Sequence, residues 1–217
     1  MKIIAIYVYE KTLSMASAYN MSSSTVGDAS STIIELHTDS EHIGYGEICP
    51  TGPLPQPEHA GSIRADLELL APALIGLDPV LIGQVLAAMN STMDGGIGAK
   101  SAIDIACWDL LGKATGRRVC DLLGGPFTDP VSTYHVIAIG TPDESASSAE
   151  HLQNDGHTKL QLKAGGRRIE DDIDAARAVA AVIRPGVDLF VDANRGFSVE
   201  QAIQFSHACA GLRLNME

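Results

Sequence analysis

From residue 131 onward the chain alternates short apolar stretches with capped helical ones, and that order restricts the fold more than any other feature. Residues 131–139 read as a strand. Thr141-Pro142-Asp143-Glu144 is a capping box with proline at the first helical position, opening a helix to about Asn154. In residues 157–166, HTKLQLKAGG, Leu160 and Leu162 alternate with Lys159, Gln161 and Lys163, the period of a strand, and Gly165-Gly166 stops it. Ile169, Ile173, Ala176, Ala180 and Ile183 then mark one face of a helix ended by Pro185-Gly186. Residues 187–192, VDLFVD, are a further strand. Ser198 and Gln201 form a second capping box, for a helix to about Ala210, and residues 212–217 open one more strand. The order β-α-β-α-β-α-β is that of a parallel sheet with right-handed crossovers.

The first part of the chain follows a different grammar. Residues 2–9, 31–38 and 43–49 read as strands, the last two joined as a hairpin by Asp39-Ser40-Glu41-His42. Residues 13–30, rich in Ser, Met, Ala and Asn without a period, read as a mobile loop. Residues 50–57 hold four prolines and read as a stiff loop. Three helices are expected next. The first, 58–74, carries Ile63, Leu67, Leu70 and Leu74 on one face. The second, 79–93, has Asp78 as N-cap and Pro79 at the first position. The third, 97–114, is apolar nearly all round, which predicts a buried helix, with Gly116 as its stop. A short helical turn is expected at 119–124.

A formal net charge of −12 argues against nucleic acid or an anionic membrane as partner, since both require a basic face. Cys49, Cys107, Cys120 and Cys209 show no metal or redox spacing, so they read as reduced thiols of a cytoplasmic protein. The opening MKIIAIYVYEK is too short and too alternating for a signal peptide, and no apolar run approaches the ~18 residues of a membrane span. A phosphate loop is missing too: no GxGxxG follows any strand.

The chemistry gathers at strand ends. Lys163, Asp192 and Glu217 each stand last or nearly last in a strand, and neighbouring ends of a parallel sheet bring such side chains toward one point. Asp192 and Glu217 are a hard-oxygen pair suited to Mg²⁺, which takes one or two carboxylates plus waters and substrate oxygens. A metal there polarises a substrate carboxylate and acidifies the adjacent C–H, leaving Lys163 to take the proton. Each residue also has an ordinary reading: a strand-end Asp caps the next loop, and a terminal Glu is solvated.

At this point the sequence resembles the mandelate racemase/muconate lactonizing branch of the enolase superfamily. The resemblance lies in AKSAIDIACWDLLGKATGRRVCDLLGG (99–125), QLKAGG (161–166), VDANRG (191–196), and the spacings of 29 residues from Lys163 to Asp192 and 25 from there to Glu217. It implies an α+β capping domain over residues 1–125, followed by an incomplete parallel (β/α) barrel over 126–217 that supplies its first four strands. It also implies Lys163 as catalytic acid or base, Asp192 and Glu217 as two of three Mg²⁺ ligands, and Asn194 as a polar neighbour of the metal. Residues 14–30 and 50–58 correspond to the loops that close over a small carboxylate substrate and select it.

Gln161 stands where many members carry a first lysine, a variation that resembles hydroxyproline-betaine epimerases and cis-3-hydroxyproline dehydratases. It points to an amino-acid or betaine-like acid racemised, epimerised, dehydrated or cycloisomerised through an enediolate. Lys159 reads as a barrel-floor residue. Later strands, a third ligand and an opposite-face acid/base are missing, so the chain is expected to be truncated relative to the family and to lack full activity alone. The alternative is a non-catalytic α/β module that keeps the scaffold and binds a partner. A homo-oligomer is left open.

Overall fold

The computed structural model describes residues 1–20, 25–52, 57–128 and 130–216. Two compact units form, one from Met1–Met15 with Asp28–Asp129, the other from Ala16–Gly27 with Pro130–Glu217. The break after Asp129 falls four residues beyond the boundary expected at 125.

A three-stranded sheet is ordered β1-β2-β3, with β1 at Ile3–Asn20, β2 at Thr25–Thr38 and β3 at Ile43–Ile48. Strands β2 and β3 pair antiparallel from Thr32↔Ile48 to His37↔Ile43, as the hairpin turn predicts. The loop expected over 13–30 is corrected: its described residues belong to β1 and β2, and only 21–24 lie outside the description. Residues 7–15 are all exposed, so no buried face imprints an alternation on the sequence, and the strand forms by pairing with its neighbour. Of the proline-rich loop, 53–56 lie outside the described residues.

Helix α1, Ala60–Leu74, buries Ile63, Leu67, Leu70 and Leu74, the face read from the sequence. Helix α2 runs Ile82–Thr92 and starts later than expected. Asp78 does not cap a helix at Pro79. It accepts Val80 N–H on its side chain and Leu81 N–H on its carbonyl, closing a turn ahead of α2. Helix α3, Ile97–Thr115, ends at Gly116 in the left-handed conformation, as a C-terminal glycine should. It is not buried all round: Ala99, Ala102, Ile103, Ala106, Cys107 and Leu110 are buried, whereas Ile97 and Ile105 are 75% and 45% exposed. Helix α4, Val119–Leu122, is a single turn.

The second unit is the parallel sheet. Strands β4 (His135–Ile137), β5 (Lys159–Lys163), β6 (Asp188–Asp192) and β7 (Asn215–Met216) lie in that spatial order, all pairs parallel. Helices α5 (Pro142–Asn154), α6 (Ile169–Val182) and α7 (Val199–Ala208) fill the crossovers. The capping boxes of α5 and α7 each form both reciprocal hydrogen bonds, Thr141 with Glu144 and Ser198 with Gln201. Strand β4 is shorter than read, because Val131 and Tyr134 are 72% and 55% exposed and only Ile137 reaches the core. Leu160, Leu162, Leu189 and Val191 pack with Ile173, Ala176 and Phe205 in that core. No helix among the described residues is long and apolar enough to cross a membrane.

All four cysteines are free. Cys107 sits in the first unit's core, where burial pushes its thiol up to about 12, and burial also raises Cys209. Cys49 and Cys120 are exposed. Titration of the native protein with a chromogenic disulfide is expected to consume two thiols quickly and the other two only on unfolding, since the thiolate is the reactive form. Four fast thiols would show an open core.

Candidate functional site

Strand β5 is central rather than an edge, flanked by β4 and β6. Its two faces differ in chemistry, yet both are buried. Leu160 and Leu162 face the helices' apolar side chains, while Gln161 and Lys163, on the opposite face, are 3% and 6% exposed. A lysine so enclosed needs a counter-charge. The register Lys163↔Asp192 places these residues side by side at the C-terminal ends of β5 and β6. Lys163 Nζ donates to Asp192 Oδ2, forming an ion pair between side chains only 7% and 16% exposed.

The second oxygen, Asp192 Oδ1, accepts the N–H of Asn194 at 2.7 Å, an Asx turn that suits Asn194's left-handed φ of 44°. Arg195 follows with φ 62°, uncommon for a residue with a side chain. Ala164 N–H donates to Asp192 O at 2.9 Å, so backbone as well as side chains joins the two strand exits. Gly165 and Gly166 take φ of 89° and 75°, which glycine tolerates without cost to a Cβ.

The structure thus brings Lys163, Asp192 and Asn194 to one end of the sheet, with Gln161 mid-strand on the face of Lys163. Glu217 lies outside the described residues, though Met216 before it pairs with Val191 before Asp192. Among the described residues no cluster of three His, Cys, Asp or Glu side chains could hold a metal. Asp192 is nevertheless a hard-oxygen donor of the kind Mg²⁺ accepts. Lys159 sits at the opposite end of β5, in register with Asp188.

Sequence reading passed over Asp172 and Arg167. Asp172, in the first turn of α6, has a side chain with no exposure. Its Oδ2 accepts Gly165 N–H at 2.9 Å, and its Oδ1 accepts Arg167 Nε at 2.6 Å. Arg167 Nη1 donates to Gly140 O, also at 2.6 Å. In the sequence Asp172 is one of three adjacent acids, Glu170, Asp171 and Asp172, with nothing to single it out.

Residues 3–124 match the mandelate racemase/muconate lactonizing enzyme N-terminal domain, and residues 144–216 match the enolase C-terminal domain-like family. Over its full length the chain is 39% identical to cis-3-hydroxy-L-proline dehydratase of Roseibium aggregatum, and it spans 59% of that protein. It is 30% identical to N-succinyl-L-Arg/Lys racemase of Bacillus cereus, matching with 91% of its own length and spanning 53% of that enzyme. In three dimensions it is similar to the Enterococcus faecalis dipeptide epimerase complexed with Mg and the dipeptide L-Leu-L-Tyr. There the TM-score is 0.93 at 29% identity, with 99% of this chain and 60% of that one superposed. The chain therefore spans less than two thirds of these relatives, which are a dehydratase, a racemase and an epimerase. With an α+β unit leading into a parallel β/α sheet, and family matches over both parts, the chain belongs to the mandelate racemase/muconate lactonizing enzyme family of the enolase superfamily.

Proposed function

We propose that this chain carries the lysine face of a Mg²⁺-dependent proton transfer at the carbon next to a carboxylate, on a proline-like amino acid or betaine. The observation that carries the reading is the meeting of Lys163 with Asp192 on one rung of adjacent parallel strands, both largely withdrawn from water. Asp192 would hold the metal, together with Glu217. When bound, the ion would stabilise the negative charge that develops on the substrate carboxylate as the α-proton leaves.

Lys163 is the group that takes or returns the proton at Nζ. A base must be neutral to act, and a nearby divalent cation favours the neutral amine. Gln161, two residues back on the same buried face, offers an amide where a second ammonium would repel a substrate nitrogen cation. That neutrality suits amino acids and betaines, and it agrees with the likeness to the proline-derivative dehydratase.

The test joins residues 1–217 to the part of the Roseibium aggregatum dehydratase that lies beyond its matched region. Loss of cis-3-hydroxy-L-proline is then followed with Mg²⁺ present. Lys163→Met is expected to lower kcat by about 10²–10⁴-fold, the usual share of a general base, while leaving Mg²⁺ binding by calorimetry in place. Chelation of the metal is expected to stop turnover. Undiminished turnover by Lys163→Met would remove Lys163 from the chemistry.

A further inference from the structure

We propose that Asp172 and Arg167 form a buried brace that positions Lys163, a role that rests on the reading of Lys163 as the base. The brace starts from a charge the fold has placed at a cost. Of the three acids in the first turn of α6, Glu170 and Asp171 are exposed, while Asp172 is 1% exposed. A carboxylate that far from water is tolerated only when hydrogen bonds and a counter-charge replace its hydration. Asp172 obtains both from the loop that leaves β5: Gly165 N–H on one oxygen and the Arg167 guanidinium on the other.

Arg167 extends the connection. Its Nη1 donates to Gly140 O, just after β4 and before the α5 capping box. The exits of two adjacent parallel strands are therefore tied to one buried carboxylate on α6. These exits lie at the sheet end that carries Lys163 and Asp192.

Such a tie is needed here. Gly165 and Gly166 give the chain after Lys163 two successive left-handed residues, and glycine populates many other conformations as readily. Nothing local fixes the direction in which β5 leaves the sheet. Ala164 N–H bound to Asp192 O holds one side, and Gly165 N–H bound to Asp172 holds the other. Lys163, immediately before them, carries its amine on a long flexible stem. Displacement of a reacting group by about 1 Å costs on the order of 10² in rate. Asp172 and Arg167 touch no reacting atom in this scheme. They act through the backbone that carries Lys163.

The experiment reads Lys163 directly in the full chain, labelled with ¹³Cε/¹⁵Nζ-lysine, its signal assigned by Lys163→Arg. Arg167→Met is expected to move the Lys163 signal toward that of solvent-exposed lysines, in the direction that Asp192→Asn moves it. Arg167→Lys is expected to restore it in part. Asp172→Asn, which keeps an acceptor for Gly165 N–H, is expected to give a smaller shift than Asp172→Ala. The signal of Lys159, at the far end of β5 beside Asp188, must stay in place throughout and reports that the parallel sheet persists. If Asp172→Ala does not fold, the two Arg167 variants and Asp172→Asn carry the test. An unmoved Lys163 signal in folded Arg167→Met and Asp172→Asn overturns the brace. Because no turnover is read, this outcome stands apart from the kinetic test of Lys163: a positioned lysine that proves non-catalytic would show the shifts and no loss of rate.

Discussion

Asp192→Ala is expected to destabilise the protein by about 3 kcal/mol, more than Lys163→Met does, because it removes a carboxylate that accepts from a buried ammonium. Lys163 is 6% exposed and its charge is matched by Asp192. The converse variant leaves a carboxylate that keeps the Asn194 N–H and is the more exposed of the two side chains. Lys163→Met is accordingly expected to cost about 1 kcal/mol, the usual value of a lost hydrogen bond. Asp192→Asn retains the turn with Asn194 and separates the loss of charge from the loss of that turn. The double variant Lys163→Met/Asp192→Ala is expected to cost less than Asp192→Ala alone, since it removes both charges of the pair together. Urea unfolding measures all four, with stability changes taken from midpoints at constant m. Strict additivity of the two single changes would mean that the ion pair contributes nothing to the folded state.

What could be read in advance was whatever short stretches of sequence determine by themselves. The capping boxes at Thr141 and Ser198 need four residues each, and both formed. The stripe Ile63, Leu67, Leu70, Leu74 needs only helical spacing, and all four are buried. The alternation around Lys163 placed a strand, and the strand-end rule placed Lys163 beside Asp192. The misreadings come from contacts distant in sequence. Composition could not show that 13–20 and 25–30 belong to strands, because strand pairing is a contact between stretches distant in sequence. Asp172 could not be told from Glu170 and Asp171 until the loop after β5 was placed over α6. The exposure of Ile97 and Ile105 reversed a reading based on apolarity alone, which counts hydrophobic residues without knowing what packs on each side.

Gly46→Ala is expected to cost the first unit at least about 3 kcal/mol, although alanine is ordinarily a mild change, since overpacking a tight contact is costly. Strand β3 holds two glycines, Gly44 and Gly46, and glycine inside a strand often marks a close approach of backbones. In the structure they are where β3 meets α3. A Cβ on Gly46 would stand 1.9 Å from Ala102 O and 2.9 Å from Ala102 C; one on Gly44 would stand 2.5 Å from Ala106 O. At position 46 the obstacles are backbone, so no side-chain rotation relieves them. Helix α3 answers with small residues at the same place, Ala99, Ala102 and Ala106, each fully buried. Sheet and helix therefore approach almost backbone to backbone, and an added methyl must push α3 off the sheet. That movement also loosens Ile34 and Leu36, which share the core with α3. For a chain of this size the expected fall in Tm is about 10 °C by calorimetry. Gly83→Ala supplies the contrast: Gly83 is exposed on α2, and a Cβ there would meet nothing within 4 Å. Alanine at that helical position is expected to stabilise by about 0.5–1 kcal/mol. If the two substitutions had equal effects, the close approach of β3 to α3 would not be what holds the first unit together.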